Sequence, residues 1–256
     1  MSVSPENMLF SVAPMLRTAA FATYFFPMMG ATGLLFVPLG LVRLFGGIEA
    51  AQRFVQILTG GWARHVFSVM GVRVRVNGRQ RLPSEKVLCV VSNHQGAADI
   101  PLVVGFVPRN LGFIAKKELS HIPVLSNWMR AIHSVFLERS SPRHARFAMQ
   151  KAAALMQKGR AMILFPEGTR SRGPEMGRFK TGAMQLPKDA GAAVLPLTID
   201  GTYRVYEEKN DIRPGTVTMT IHPLVPKDTV QKLSRKDLAH LLEEQIAKGL
   251  DPASDT

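Results

Sequence analysis

Apolar residues are distributed along this chain in two regimes. From Thr18 to Val42 there is no charged residue for 25 positions, bracketed by Arg17 and Arg43. About 20 apolar residues already reach across a ~30 Å hydrocarbon core, so this run predicts a segment that wants lipid. It is a poor signal peptide: no basic residue precedes Arg17, the run is too long, and no small-residue cleavage site follows. Pro27, Gly30, Gly33, Pro38 and Gly40 interrupt it. A straight span and a kinked or re-entrant helical pair in one leaflet therefore both fit, beside the plainer reading of a buried core helix. Residues Phe54 to Met70 mix Phe54, Val55, Ile57, Leu58, Trp62, Val66 and Phe67 with Arg53, Arg64 and His65. That pattern suits a membrane-surface helix with basic anchors and a simple packing helix equally.

Beyond residue 70 the pattern shifts to short β-rich runs separated by helical stretches. The runs are Val72–Val76, Val87–Ser92, Leu111–Ala115, His133–Leu137, Met162–Phe165, Val194–Ile199 and Val217–His222. The clearest helix opens at Ser141-Pro142, runs through Phe147, Ala152 and Met156, and stops at Gly159. Strands alternating with helices predict an α/β fold: a largely parallel central sheet flanked by helices, with an N-terminal membrane-associated helical segment. The expected organisation is an apolar membrane-anchoring region over 1–70, an α/β domain over 71–250, and a flexible tail over 251–256.

Composition narrows the choice. The single cysteine, Cys89, excludes an intramolecular disulfide and any multi-thiolate zinc site, and suits a reducing compartment. The net charge of +13 favours anionic partners. Its location matters more: residues 101–190 carry 15 basic and 5 acidic side chains, whereas 191–256 carry 8 and 10. Basic residues also continue after Arg43, with Arg53, Arg64, Arg73, Arg75 and Arg79. By the positive-inside tendency the bulk of the chain should face the cytoplasm.

Two strand ends carry candidate chemistry. The apolar run Val87–Val91 breaks into Ser92-Asn93-His94-Gln95-Gly96-Ala97-Ala98-Asp99. A strand-to-helix corner there presents His94 to a cleft, with Asp99 placed to turn back onto its ring. A carboxylate on one imidazole nitrogen fixes the tautomer and leaves the other to take a proton from a hydroxyl. The bland alternatives are a satisfied structural histidine and a helix-capping aspartate. The second corner is Phe165-Pro166-Glu167-Gly168-Thr169-Arg170. Arg170 can meet a phosphate bidentately, Gly168 allows close backbone approach, and Glu167 can accept from substrate hydroxyls or hold the loop's N–H groups. Lys116 and Lys117 follow one strand run and Arg139 another, so three strand ends deliver cations. In a parallel sheet those ends share one edge, where α/β proteins place ligands.

These residues are familiar in combination. Asn93-His94-x4-Asp99, the strand end at Lys116, Phe165–Arg170 and Val194-Leu195-Pro196-Leu197 resemble, in order and spacing, the four motifs of the glycerolipid acyltransferases, specifically the 1-acyl-glycerol-3-phosphate branch. That family commonly has a serine two places after the histidine, where this chain has Gly96. The resemblance implies that His94 and Asp99 are catalytic and that Glu167, Gly168 and Arg170, with Thr169 beside them, bind the acceptor. It implies that Lys116 binds phosphate, with Lys117 and Arg139 as neighbours. It further implies transfer of a fatty acyl group from acyl-CoA or acyl carrier protein, as co-substrates, to a lysophospholipid acceptor at the membrane surface, with no cofactor and no metal. Glycerol 3-phosphate and a lyso-ornithine-type lipid are the alternative acceptors.

The residues favour direct transfer, because no Gly-x-Ser-x-Gly elbow occurs and Cys89 sits inside a strand run. Backbone N–H groups at the corners are the expected oxyanion donors. Two rival classes are weaker. A metal-dependent phosphohydrolase wants more converging ligands than the seven histidines suggest. A non-enzymatic basic module for membrane or nucleic acid lacks an aromatic stacking platform, so no nucleic-acid partner is expected.

Overall fold

The computed structural model describes residues 5–138 and 142–250, and side chains from residue 14 onward apart from Pro142; Arg139 and the tail 251–256 lie outside the described residues. Seven strands form one sheet: β1 (Val72–Asn77), β2 (Leu88–Ser92), β3 (Leu111–Lys116), β4 (Val135–Leu137), β5 (Ala161–Leu164), β6 (Ala193–Asp200) and β7 (Gly215–Ile221). Their spatial order is β1-β7-β6-β2-β5-β3-β4. From β6 to β4 every pairing is parallel, whereas β7 runs antiparallel to β6 and carries β1 parallel to itself. The parallel strands need crossover helices, which gives the alternation visible in the sequence. The link from β6 to β7 is only the short helix α7 of the fold's chain order, Thr202–Val205, plus a loop, so the chain returns antiparallel at the edge it has just left.

Strands β2, β5 and β6 read as continuous apolar runs because both faces are covered. Along β2, Leu88 and Val90 join a core cluster with Val66 and Phe67, while Cys89 and Val91 join the opposite cluster. The first face is covered by the helices α2 (Phe36–Val69), α3 (Asp99–Phe106) and α4 (Leu125–Ala131). The second is covered by α5 (Pro142–Gln157), α6 (Gln185–Ala190) and α9 (Arg235–Ala247), with the short α8 (Lys227–Lys232) beside them. At the edge, β1 alternates buried Val72 with exposed Arg73 and Arg75, the pattern of a half-covered strand. Strand β4 starts two residues later than its apolar run suggests, because His133 takes φ 64° where the chain turns out of α4.

Ahead of the sheet lie α1 (Pro5–Ala31), a tight 3-10 turn at Thr32–Leu35, and α2. The predicted apolar run is thus helical almost throughout, and it passes the length and hydropathy requirements for crossing a membrane while burying none of its most apolar window. The sharpest break comes at Gly47, at φ 79° and ψ −178°, a conformation that side-chain-bearing residues rarely adopt. Before this break the exposed Leu34, Val37, Leu41, Leu44 and Phe45 fall at helical spacing on one stripe. After it, Val55, Ala63, Val66 and Phe67 are buried, and Arg64 donates to the Gly105 carbonyl at 2.7 Å, near the end of α3. One face of residues 54–69 therefore packs on the domain, while Ile57 and Val69 stay exposed. The N-terminal arm is stitched to the domain by Tyr24 on His65 at 2.6 Å, the Trp128 indole N–H on Thr32 at 3.0 Å, and the Ile212 N–H on the Thr18 hydroxyl at 2.8 Å.

Candidate active site

The corner after β2 is pinned before it turns. The Asn93 amide donates to the Ile199 carbonyl and accepts from the Ile199 N–H, both at 2.8 Å, so its side chain takes the place of a strand residue against β6. His94 then projects over the sheet edge with its side chain 19% exposed, its ring stacked on Phe165 with centroids 4.1 Å apart. Its Nδ1 lies 2.7 Å from Oδ2 of Asp99, the first residue of α3, which is fully buried. The same oxygen accepts the Gly96 N–H at 2.9 Å, and Oδ1 accepts the Thr202 hydroxyl. Three hydrogen-bond donors converge on this one buried carboxylate and fix its orientation. With Nδ1 donating to Asp99, Nε2 is the nitrogen left with a lone pair.

The corner after β5 is bound to the first one by main chain. The Ser171 N–H donates to the His94 carbonyl at 2.8 Å and the Arg172 N–H to the Gln95 carbonyl at 3.1 Å. Glu167 is buried, and its two oxygens accept the His94 N–H at 2.7 Å and the Gly177 N–H at 2.8 Å. Of the two roles open to it in the sequence, it fills the second, holding loop N–H groups. Burial outweighs those donors and raises its carboxyl pKa above the ordinary value. Arg170 is 38% exposed and donates through Nη1 to Glu207 at 3.1 Å. Glu207 also accepts the Ala97 N–H at 2.6 Å, so the imidazole and the guanidinium are carried by one connected set of loops.

The remaining sequence candidates distribute along the same sheet edge. Lys116 is exposed at the end of β3, which pairs with β5 and β4 in parallel. Lys117 is paired with Glu138 at 2.8 Å, which raises its pKa and gives its charge a counter-ion. Thr169 is exposed, and Lys180 lies directly over Gly168. Arg139 lies outside the described residues. Cys89 is fully buried and its thiol is pushed up to about 12, which leaves no thiolate for a covalent step. Among the described residues no three His, Cys, Asp or Glu side chains group in a way that could hold a metal ion.

Three features escaped the sequence. Thr202 and Glu207 complete the site from the β6–β7 connection, and Lys180 returns over the second corner; each contact spans a loop whose path the pattern does not encode. The expectation of free backbone oxyanion donors is not met by residues 94, 96, 97, 171 and 172, whose N–H groups are all engaged within the loops.

Residues 73–200 match the family model described as Acyltransferase, a stretch that begins in β1, ends with β6 and contains both corners. The chain belongs to the acyltransferase family. This acyltransferase is 28% identical over 182 residues to the 1-acyl-sn-glycerol-3-phosphate acyltransferase of Borreliella burgdorferi, covering 71% of this chain and 73% of that protein. It is 32% identical over 153 residues to a chloroplastic 1-acyl-sn-glycerol-3-phosphate acyltransferase of Arabidopsis thaliana, covering 59% of this chain and 43% of the plant protein. Its fold matches the crystal structure of the 1-acyl-sn-glycerophosphate acyltransferase PlsC from Thermotoga maritima, with a TM-score of 0.84 and 29% identity over 96% of this chain and 98% of that one. The acyltransferase model stops at Asp200, so Thr202 and Glu207 fall just outside the matched stretch.

Proposed function

We propose that this acyltransferase moves a fatty acyl group from an acyl thioester, acyl-CoA or acyl carrier protein, to the 2-hydroxyl of 1-acyl-glycerol 3-phosphate, giving phosphatidic acid. The observation that carries the reading is the main-chain link between the His94–Asp99 corner and the Arg170 corner, which sets a base and a phosphate-binding cation at one edge. His94 Nε2 takes the hydroxyl proton as the oxygen attacks the thioester carbonyl. The C–O bond forms, the C–S bond breaks, and the proton passes to the departing thiolate, whose pKa of about 8.5 makes it a far better leaving group than an amine. Asp99 stabilises the imidazolium meanwhile. Arg170 and Lys116 hold the phosphate, and Arg170 keeps donors beyond Nη1 for that purpose. The names of the relatives support the acceptor. The test is an acyl-transfer assay crossing 1-acyl-glycerol 3-phosphate, glycerol 3-phosphate and a lyso-ornithine lipid with both donors. Turnover confined to the first acceptor is expected; preference for either of the others overturns the assignment.

The same reading places the enzyme on the cytoplasmic face of a membrane. The outward apolar stripe from Leu34 to Phe45 enters lipid, and acyl chains, worth about 0.8 kcal/mol per buried CH₂, lie against the apolar surface of the arm. Removing residues 1–46, which ends the deletion at the Gly47 break, should abolish sedimentation with vesicles and blur acyl-length selectivity while the sheet domain stays folded by circular dichroism. Vesicle binding equal to that of the full chain would defeat this.

A further inference from the structure

Glu207 is an unusual carboxylate. Its side chain is 5% exposed, and it sits in the β6–β7 connection with two acidic and basic neighbours that face solvent. One oxygen, Oε1, accepts the Ala97 N–H at 2.6 Å and Arg170 Nη1 at 3.1 Å. The other, Oε2, is buried with no hydrogen-bond partner among the described residues. Leaving a carboxylate oxygen buried and unsatisfied is unfavourable, and such a group asks for an explanation beyond packing.

What admits the carboxylate to this position is residue 96. A Cβ added to Gly96 would stand 2.5 Å from Oε2, 2.9 Å from Cδ and 3.1 Å from Oε1, and these three Glu207 atoms are the nearest it would meet. The Gly96 backbone is not in the left-handed region, so this carboxylate, rather than backbone strain, is the first obstacle a side chain would meet. Glycine at 96 and glutamate at 207 are one feature written at two distant places. We propose that Glu207 is the positioning residue for Arg170, that it fixes the guanidinium at the sheet edge by approaching over the bare backbone of Gly96, and that the pair sets the affinity for the anionic headgroup of the acceptor. This rests on the reading of Arg170 as the phosphate-binding cation. A long arginine fixed by one charged partner loses less freedom when it meets a second anion, and it keeps the rest of its donor fork for that anion.

The test is steady-state kinetics on the full chain in detergent micelles containing 1-acyl-glycerol 3-phosphate and acyl-CoA. Glu207→Ala should raise the acceptor KM about tenfold, the usual scale for losing a hydrogen bond to a charged group, with kcat and the donor KM moving far less. Gly96→Ala should reproduce that phenotype by displacing the carboxylate. In the Glu207→Ala background it should add nothing, because the obstacle is gone. Glu207→Gln, which keeps an oxygen for the Ala97 N–H but loses the charge facing Arg170, should fall between, and it carries the test with Gly96→Ala if the alanine variant does not fold. Arg170→Ala separates the two levels. If it raises the acceptor KM while the variants at 207 and 96 do not, the positioning inference alone is overturned. If Arg170→Ala leaves the acceptor KM unmoved, the phosphate reading falls and takes the inference with it. Additive effects of Gly96→Ala and Glu207→Ala, or a lowered melting temperature with unchanged kinetics, also overturn it.

Discussion

His94→Ala should reduce turnover by at least the ~10²–10⁴-fold assigned to general-base catalysis, at unchanged fold. The ring sits at the sheet edge, partly exposed and resting on Phe165, so its removal opens no sealed cavity and the far-ultraviolet spectrum should be unaltered. The corner itself is held by other groups: Asn93 on Ile199, Glu167 on the His94 N–H, and the Ser171 N–H on the His94 carbonyl, none of which uses the imidazole. The loss should therefore appear in kcat at saturating acceptor and donor, with both KM values near those of the parent. Activity within tenfold of the parent would remove the imidazole from the mechanism.

Asp99→Asn should be nearly as severe, by a different route. The carboxylate accepts three hydrogen bonds, from the His94 ring, the Gly96 N–H and the Thr202 hydroxyl. An asparagine amide placed there can offer its NH₂ group to Nδ1, which selects the tautomer that carries its proton on Nε2 and so cannot accept one from the substrate. Where a buried carboxylate orients a catalytic histidine in hydrolases, the same change costs about 10⁴ in kcat with the geometry intact. A loss of that order is expected here. Thr202→Val, which removes one donor from Oδ1 but leaves the charge and the histidine contact, should lose about tenfold or less, the scale of a single hydrogen bond to a charged group. Equal losses for the two variants would mean that the carboxylate acts by bracing the corner rather than by holding the base.

The sheet was readable because each of its strands is a short β-rich run closed by a turn signal, and its parallel order followed from the helices between them. Both corners were readable for the same reason: Pro166 and Gly168 stop an apolar strand, and Asp99 opens α3. The helix Pro142–Gln157 announced itself through its N-terminal proline and Gly159. What the pattern could not supply was contact between segments far apart in the chain. Thr202 reaches Asp99 across 103 positions and Glu207 reaches Ala97 across 110. Neither residue stands in a recognisable run; Glu207 lies among Glu208 and Lys209, where a solvated charge cluster is the natural reading. The break at Gly47 lies beyond the uncharged run, next to Gly46, whereas the prolines and glycines inside that run leave the helix unbroken except for one tight turn at Thr32–Leu35. Corner geometry alone suggests free backbone donors for an oxyanion, whereas the loops engage the N–H groups of 94, 96, 97, 171 and 172 among themselves.

The backbone bonds from Ser171 to His94 and from Arg172 to Gln95 make the two corners a jig. The gap between reacting hydroxyl and phosphate in a glycerol backbone is a constant of the acceptor's chemistry, and on the proposed reading it would be gauged against peptide units rather than against flexible side chains. On the same reading, substitutions in the helices around the edge would leave that gauge undisturbed.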